Sequence, residues 1–416
     1  MGKKILVLGT GAQGSTVIQR MDEEPNVDEL ICADYDKAAV DNLVKILKKA
    51  KGAQIDAHDF DAIVALAEGC DLIVNALPLE FGKNVIEAAL KVGANYQDFA
   101  APEGLLDEAA AAKVDDPWLE GIKYAFKEYG PKFAAAGKLA VMGTGSAPGL
   151  ICAATRVAVR YLDSCTDIYN NVYEGVEAKR FQPYWWSPVT ALSDMAEDSY
   201  AFIDGKIVRP EAFSLPVFRK YDYLDEEVRM VEHAHDEPVY YGLHADTHFK
   251  GVKNAYFKYG GVGIEYAEPL HRAGLLSHEE ETVNGNKLVP FDVVLAHLPA
   301  APRTREEVGA IIEEGLVSDT GAMVIEAYGE KDGKKRRVEV HVFAPGMVES
   351  YEKAGISAEM YLTGQGGALF TKLFANDKYT QTGYISSDML TDDEVDYYFE
   401  SAAKLGIALD IREFDI

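Results

Sequence analysis

KKILVLGTGAQGSTVIQRMDEEPNVDELICAD, residues 3–34, is the stretch that decides the fold. Lys3 to Leu8 is a short, β-rich run that is apolar from Ile5 onward. It lacks the alternation of a half-solvated strand, so it predicts a strand buried on both faces. Gly9 to Gly14 break the run, Ser15 to Glu23 has helical spacing, and Glu29 to Asp34 reads as the next strand. The alternation continues outward. A helix is expected over Asp36 to Lys49, a weak strand over Ala53 to Ala57, and a helix over Phe60 to Ala67. Strands follow at Cys70 to Leu77, at Ala94 to Asp98 after a Gly82 to Val92 helix, and at Lys138 to Met142 before a helix from Leu150. Apolar strands alternating with helices predict a doubly wound α/β domain with a parallel sheet.

The loop inside the opening stretch carries chemistry. Gly9-Thr10-Gly11-Ala12-Gln13-Gly14 is G-x-G-x-x-G, placed between a strand and a helix, and Asp34 lies twenty residues beyond Gly14. In that context the pattern is specific for a dinucleotide. Gly9 makes the tight turn, Gly11 lets backbone approach a pyrophosphate, and Gly14 permits close helix–strand packing. Ala12 and Gln13 complete the cradle. Asp34 is suited to accept hydrogen bonds from the adenosine ribose. Its carboxylate repels a 2′-phosphate, Asp36 adds charge and no Arg follows, so NAD is favoured over NADP. Ala76, Leu77 and Pro78 follow another strand end, where ligands of such sheets bind. Asp98 ends the next strand. It has two readings: a group that orients or deprotonates a substrate amine, or a helix cap or solvated strand end. Ser146, Pro148 and Gly149 sit in the GTGSAPG loop after the last strand, as a cofactor-binding loop or a plain N-terminal turn.

After residue 160 the texture changes, with Tyr169, Tyr173, Phe181, Tyr184, Trp185 and Trp186 crowding the chain. Strand patterns at Asp167 to Glu174, Ala255 to Tyr259, Met323 to Tyr328 and Arg336 to Val342 predict an α+β second domain with a mixed or antiparallel sheet. Asp332-Gly333 is a hairpin signal between the last two. Gly364 to Ala375 and Asp392 to Leu405 read as helices. The expected division is residues 1–150, 151–350 and 351–416, the last being helices that return to the first domain.

Composition narrows the function classes. The 416 residues are 48% hydrophobic and 26% charged, which excludes a disordered chain. Lys plus Arg number 41 against 68 Asp plus Glu, a net charge of −27, so phosphate backbones and anionic membranes are poor partners. No run of 18 apolar residues predicts a membrane span. Cys32, Cys70, Cys152 and Cys165 show neither disulfide nor zinc spacing, and MGKKILVLG runs into a strand without an apolar leader. A reduced, cytoplasmic protein is expected. The charged turns Glu279 to Glu281 and Lys334 to Arg337 read as solvated faces. No G-x-S-x-G and no Ser-His-Asp order points to a hydrolase.

With these residues in view, the chain resembles the saccharopine dehydrogenase family, in the branch with saccharopine reductase, lysine 6-dehydrogenase and carboxynorspermidine dehydrogenase. Gly145 to Leu150, GSAPGL, is similar to the nicotinamide-side loop of the lysine 6-dehydrogenase group. Trp186-Ser187-Pro188 and Asp204-Gly205-Lys206 resemble elements opening the family's second domain, and Asn284 to Lys287 with Pro290 and Leu298-Pro299 a later segment. Lys331 to Lys334 is similar to its late hairpin. EGVEAKRFQPYWW replaces a Gly- and Asn-rich stretch of the carboxynorspermidine enzymes, and Ala147 stands where several relatives have Asp. The resemblance implies nicotinamide-dependent oxidation or reduction at a carbon–nitrogen bond of a small amine or amino acid, by way of an imine. It also implies a homodimer built on the second-domain sheet.

Such substrates carry carboxylates, so Lys179, Arg180, Lys250 and Lys258 are candidate anchors, Arg180 foremost because it is nearest the aromatic run. Trp186 is a candidate pocket wall, although aromatic core is the expectation for at least two of Tyr184, Trp185 and Trp186. His244 and His248 lie four apart, without the Glu of H-E-x-x-H, so no metal is expected. His244 is instead a candidate acid–base group of the second domain, against a structural default. The leading function is a saccharopine- or lysine-type NAD-dependent dehydrogenase. The rivals are a carboxynorspermidine-type reductase of polyamine synthesis, a non-catalytic NAD-binding sensor, and an alcohol dehydrogenase sharing only the first domain.

Overall fold

The computed structural model describes residues 2–102 and 104–416. The chain divides into two compact units, one comprising the stretch up to Ala153 with Leu362–Leu405, the other Ala154–Tyr361 with Gly406–Ile416.

The first unit is built on β1 (Lys3–Leu8), β2 (Val27–Asp34), β3 (Ala50–Gln54), β4 (Leu72–Asn75), β5 (Asn95–Asp98) and β6 (Leu139–Met142). Among the described residues these join the strand Gly383–Ser386 in a seven-stranded parallel sheet, ordered Gly383–Ser386, β6, β5, β4, β1, β2, β3. Ile5 to Leu8 are completely buried, as their unbroken apolar run requires. Each such side chain contributes roughly 1.5–3 kcal/mol on burial. The strand order reverses between β1 and β4, which makes that point the topological switch. Leu8 pairs with Ala33 on one side and Asn75 on the other. Gly9, Asp34 and Ala76 therefore leave the sheet together at its carboxyl edge.

Two local expectations are revised, and a helical stretch joins them. The helix expected to run from Asp36 to Lys49 is only Lys37–Val44. The buried Asp22 carboxylate accepts the backbone N–H groups of Lys48 and Lys49 at 2.9 and 2.7 Å, which diverts the chain and starts β3 three residues early. Between β5 and β6 lie the short helices Glu108–Ala111, Pro117–Tyr124 and Gly130–Ala135. Asp107 and Asp116 side chains cap the first two. The last segment of the chain is not purely helical, since it supplies Gly383–Ser386 to the first sheet and Ala408–Asp415 to the second.

The second unit carries a nine-stranded mixed sheet. At its centre Ser164–Glu174 and Asn254–Gly261 run parallel, with Tyr259 opposite Val172 and Gly261 opposite Glu174. Gly321–Lys331 lies antiparallel to the first of these, followed by Lys334–Phe343 and Ala408–Asp415. Asp332 and Gly333 have φ of 52° and 71°, the positive pair of a two-residue hairpin turn that matches strand twist. No helix among the described residues is long and apolar enough to cross a membrane.

Candidate nucleotide and substrate site

Helix α1 (Ala12–Glu23) begins at Gly11, with no side-chain cap and no acidic residue in its first turn. Its first N–H groups and the positive end of its dipole are thus left for an anion. Gly9, at φ 95°, turns the chain out of β1, and its N–H donates to Ala33 O at 2.8 Å. A Cβ on Gly14 would lie 2.0 Å from Gly9 O and 3.2 Å from Ala76 Cβ, so α1 packs against the sheet edge only because that atom is missing. Gly11 is exposed and a Cβ there would meet nothing within 4 Å, which leaves open space above the loop. Asp34 closes the other side. Its Oδ2 accepts Thr10 N–H at 2.6 Å and Thr10 Oγ1 at 3.0 Å, and its Oδ1 accepts Asp36 N–H at 3.0 Å. These bonds fix the carboxylate beside the glycine loop and leave acceptor capacity on a partly exposed group. Ala76 and Leu77 are partly exposed and Pro78 is exposed at the same edge. An uncapped helix, a cradle that Cβ atoms would fill and a fixed carboxylate fit a dinucleotide.

Asp98 is neither solvated nor a helix cap. It is 4% exposed, and its Oδ2 accepts Asn75 Nδ2 at 2.9 Å and the hydroxyl of the fully buried Tyr96. Ala100 N–H donates to Oδ1 at 3.2 Å. Burial pushes the Asp98 carboxyl up to about 6, against the lowering effect of Tyr96 and Asn75. Its backbone carbonyl accepts both Thr144 N–H at 3.1 Å and Thr144 Oγ1 at 2.8 Å, which ties the Gly143–Gly149 loop to β5. On the other face of β5, Gln97 donates to Gly367 O at 2.9 Å and accepts from Thr371 Oγ1 at 2.9 Å. In the loop itself Ser146 is partly exposed, whereas Pro148 and Gly149 are buried and shape the turn.

In the second unit Tyr184 and Trp185 are each 3% exposed, core residues as two of the three aromatics were expected to be, and Trp186 is partly exposed. Arg180 is exposed and its guanidinium is engaged on both sides by the Glu314 carboxylate, with Nε at 2.5 Å, so a substrate carboxylate would have to displace Glu314. Lys258 is buried and donates to Glu232 and to Leu215 O. Lys250 donates to Leu162 O. His244 sits at the joint between the helices Glu237–Leu243 and Ala245–His248, partly exposed, edge-on to His248 with ring centres 5.7 Å apart.

A cluster that the sequence did not single out lies elsewhere in the same unit. The Tyr259 hydroxyl donates to the Glu174 carboxylate, and the His233 ring stacks on Tyr259 at 4.8 Å. These residues come from three separated stretches of chain, and none carries a local motif that spacing could have revealed.

Residues 5–141 match a family model described as the saccharopine dehydrogenase NADP binding domain. The chain is 24% identical over 387 residues to carboxynorspermidine synthase of Vibrio cholerae, covering 90% of this chain and 86% of that protein. It is 24% identical over 411 residues to carboxyaminopropylagmatine dehydrogenase of a Synechocystis species, covering 94% of this chain and 93% of that protein. Among solved structures, apo saccharopine dehydrogenase (L-Glu forming) from Saccharomyces cerevisiae matches with a TM-score of 0.69 at 13% identity, over 99% of this chain and all of that one, and so shares the fold.

Proposed function

We propose that this chain, a saccharopine dehydrogenase-like oxidoreductase, uses NAD in preference to NADP to oxidise or form a carbon–nitrogen bond of a small amine or amino acid. The observation that carries the reading is the nucleotide site at the switch point of the first sheet: an uncapped helix, a glycine cradle and the fixed Asp34 carboxylate. The two curated relatives are named for carboxylated polyamines. That favours a carboxylated polyamine over saccharopine or lysine as the substrate. A homodimer is part of the proposal. All four cysteines are buried, which supports a reducing, cytoplasmic setting.

The residues divide the work. Gly9 to Gly14 would hold the pyrophosphate and Asp34 the adenosine ribose. Bound there, the nicotinamide supplies or takes the hydride. Asp98 does not reach out to a substrate; its carboxylate orders Tyr96 and Asn75, and its carbonyl holds the loop that bears Ser146. It is therefore assigned a positioning role, and the second unit is left to bind and orient the amine. The direct test follows nicotinamide absorbance with NAD or NADP, using saccharopine, lysine, ornithine and carboxylated polyamines, and the reverse direction with aldehyde–amine pairs. Turnover with a carboxylated polyamine establishes the favoured reading, and turnover with saccharopine or lysine alone restores the other. Nucleotide-induced thermal stabilisation without turnover of any amine supports the sensor instead.

Cofactor choice has its own test. Asp34→Asn keeps an acceptor for Thr10 N–H but removes the charge. A hydrogen bond to a charged group contributes about 1.5–3 kcal/mol. NAD affinity is therefore expected to fall roughly tenfold or more, with NADP affinity unchanged or improved. Titration calorimetry with both nucleotides checks this, and equal losses would show that Asp34 does not select against the 2′-phosphate.

A further inference from the structure

We infer that the Gly364–Gly367 run of the helix Ala358–Ala375 and the buried Gln97 are positioning residues for the nicotinamide half of the cofactor, holding the Gly145–Ser146 loop at a fixed place on the sheet edge. The inference rests on the nucleotide reading above and extends it from the pyrophosphate to the reacting end. The Gly145–Ser146 loop leaves the carboxyl end of β6, as the Gly9–Gly14 loop leaves that of β1. β4 and β5 lie between them, so three strand spacings, roughly 14 Å, separate the two loops. A dinucleotide whose pyrophosphate sits on α1 reaches along that edge with its second nucleotide.

Gly364, Gln365, Gly366 and Gly367 are all buried, and they meet three different parts of the first unit. A Cβ on Gly364 would lie 2.7 Å from Thr16 Oγ1 on α1. Gln365 accepts Arg20 Nε of the same helix at 2.9 Å. A Cβ on Gly366 would lie 2.5 Å from Gly145 O and 3.3 Å from Ser146 N. One on Gly367 would lie 2.3 Å from the Phe99 ring, just beyond β5. Glycine weakens a helix relative to alanine, so three within four residues answer to close approach and not to helix formation. One turn of helix therefore touches the nucleotide helix, the Gly145–Ser146 loop and the end of β5 at once.

Gln97 locks that arrangement. It is completely buried and its amide is fully used. Nε2 donates to Gly367 O at 2.9 Å and to Thr144 Oγ1 at 3.2 Å, and Oε1 accepts Thr371 Oγ1 at 2.9 Å. Thr144 Oγ1 in turn donates to Asp98 O at 2.8 Å. Thr144 and Thr371 are completely buried too, so no solvent competes for either hydroxyl. A buried network satisfied at every member holds one geometry. These side chains lie too deep to touch a ligand, so they act through the loop they fix, where Ser146 is partly exposed.

The experiment is calorimetric titration of the full-length protein with NAD and with ADP-ribose, which has the same adenosine, pyrophosphate and second ribose but no nicotinamide. NADH fluorescence reads the surroundings of the ring directly. The wild type is expected to bind NAD more tightly than ADP-ribose and to enhance NADH fluorescence. Gly366→Ala drives a methyl into Gly145 O. NAD affinity should then fall about tenfold or more, with ADP-ribose affinity kept within about twofold and the fluorescence enhancement lost. Thr371→Val removes a donor without adding bulk and should show the same selective loss, so the test survives a Gly366→Ala protein that does not fold. Thr371→Ser keeps the hydroxyl and should keep the preference for NAD. NAD and ADP-ribose affinities that fall together overturn the inference, because a helix that only stabilises the unit would act on both. Unchanged NAD affinity and fluorescence in the variants also overturn it and leave the nucleotide site standing, as does a wild type that binds NAD no more tightly than ADP-ribose. A wild type that binds neither nucleotide removes the nucleotide reading itself, and this inference with it.

Discussion

Gly14→Val is expected to abolish nucleotide binding and to lower the stability of the first unit. The Cβ alone would lie 2.0 Å from Gly9 O and 3.0 Å from Gly9 C, and both obstacles are backbone that cannot rotate away. Gly9 is itself pinned, since a Cβ there would lie 2.4 Å from Ala76 O. Helix α1 must therefore move off the sheet edge. Overpacking of this kind costs about 1–3 kcal/mol. It also displaces the N–H groups that would meet the pyrophosphate, so affinity should fall by roughly a hundredfold or more. Gly11→Ala separates the two effects. Nothing lies within 4 Å of that Cβ, so the apo protein should keep its stability to within about 0.5 kcal/mol. Its nucleotide affinity should fall about tenfold, because the methyl occupies the path of the phosphates. Thermal melts with and without NAD read both quantities. Undiminished NAD binding in Gly11→Ala would mean that the pyrophosphate does not cross this loop.

Lys258→Met is expected to destabilise the second unit by about 3–5 kcal/mol. Lys258 and Glu232 are each 1% exposed and lie opposite each other on paired strands. The ammonium donates to Glu232 and, at 2.7 Å, to Leu215 O, and Glu232 also accepts Ser199 Oγ at 3.2 Å. Removing the cation leaves a buried carboxylate held by one serine. Burial already pushes the Glu232 carboxyl above its ordinary value, with Lys258 opposing that shift. In the variant the opposition is gone and the folded-state value rises further. A carboxyl raised in the folded state gives its stabilising contribution below the unfolded value and loses it as pH rises. The deficit should thus shrink as pH is lowered towards the ordinary carboxylate range. Adding Glu232→Gln removes the orphaned charge and should recover more than half of the loss. Urea unfolding of the two singles and the double completes the cycle. Additive single losses would show that the two groups are not coupled.

The nucleotide half was readable because its information is local. A strand buried on both faces is a contiguous apolar run, a helix repeats every few residues, and the glycines with Asp34 lie within one short stretch. Hence β1, the helices Phe60–Ala67 and Gly82–Val92, and the Asp332-Gly333 hairpin fall where periodicity and turn chemistry put them. The helix after β2 came out too long, because its end is decided by Asp22, a side chain remote in sequence. Asp98 could be placed at a strand end but not in its environment. Whether that carboxylate meets water, a substrate or Tyr96 depends on what packs over β5.

The sequence by itself determined the doubly wound sheet, the glycine-rich turn after its first strand, the carboxylate beside that turn and the two-part character of the chain, since each is written in neighbouring residues whose spacing obeys backbone geometry. Only the tertiary structure decided that Gly383–Ser386 completes the first sheet beside β6, that Arg180 is engaged by Glu314, that Lys258 is buried against Glu232, and that Tyr259 meets both Glu174 and His233. The physical reason is common to all of these. Parallel strands and charge pairs join residues far apart in the chain. Their energies depend on distance and burial in space, which one-dimensional spacing does not contain.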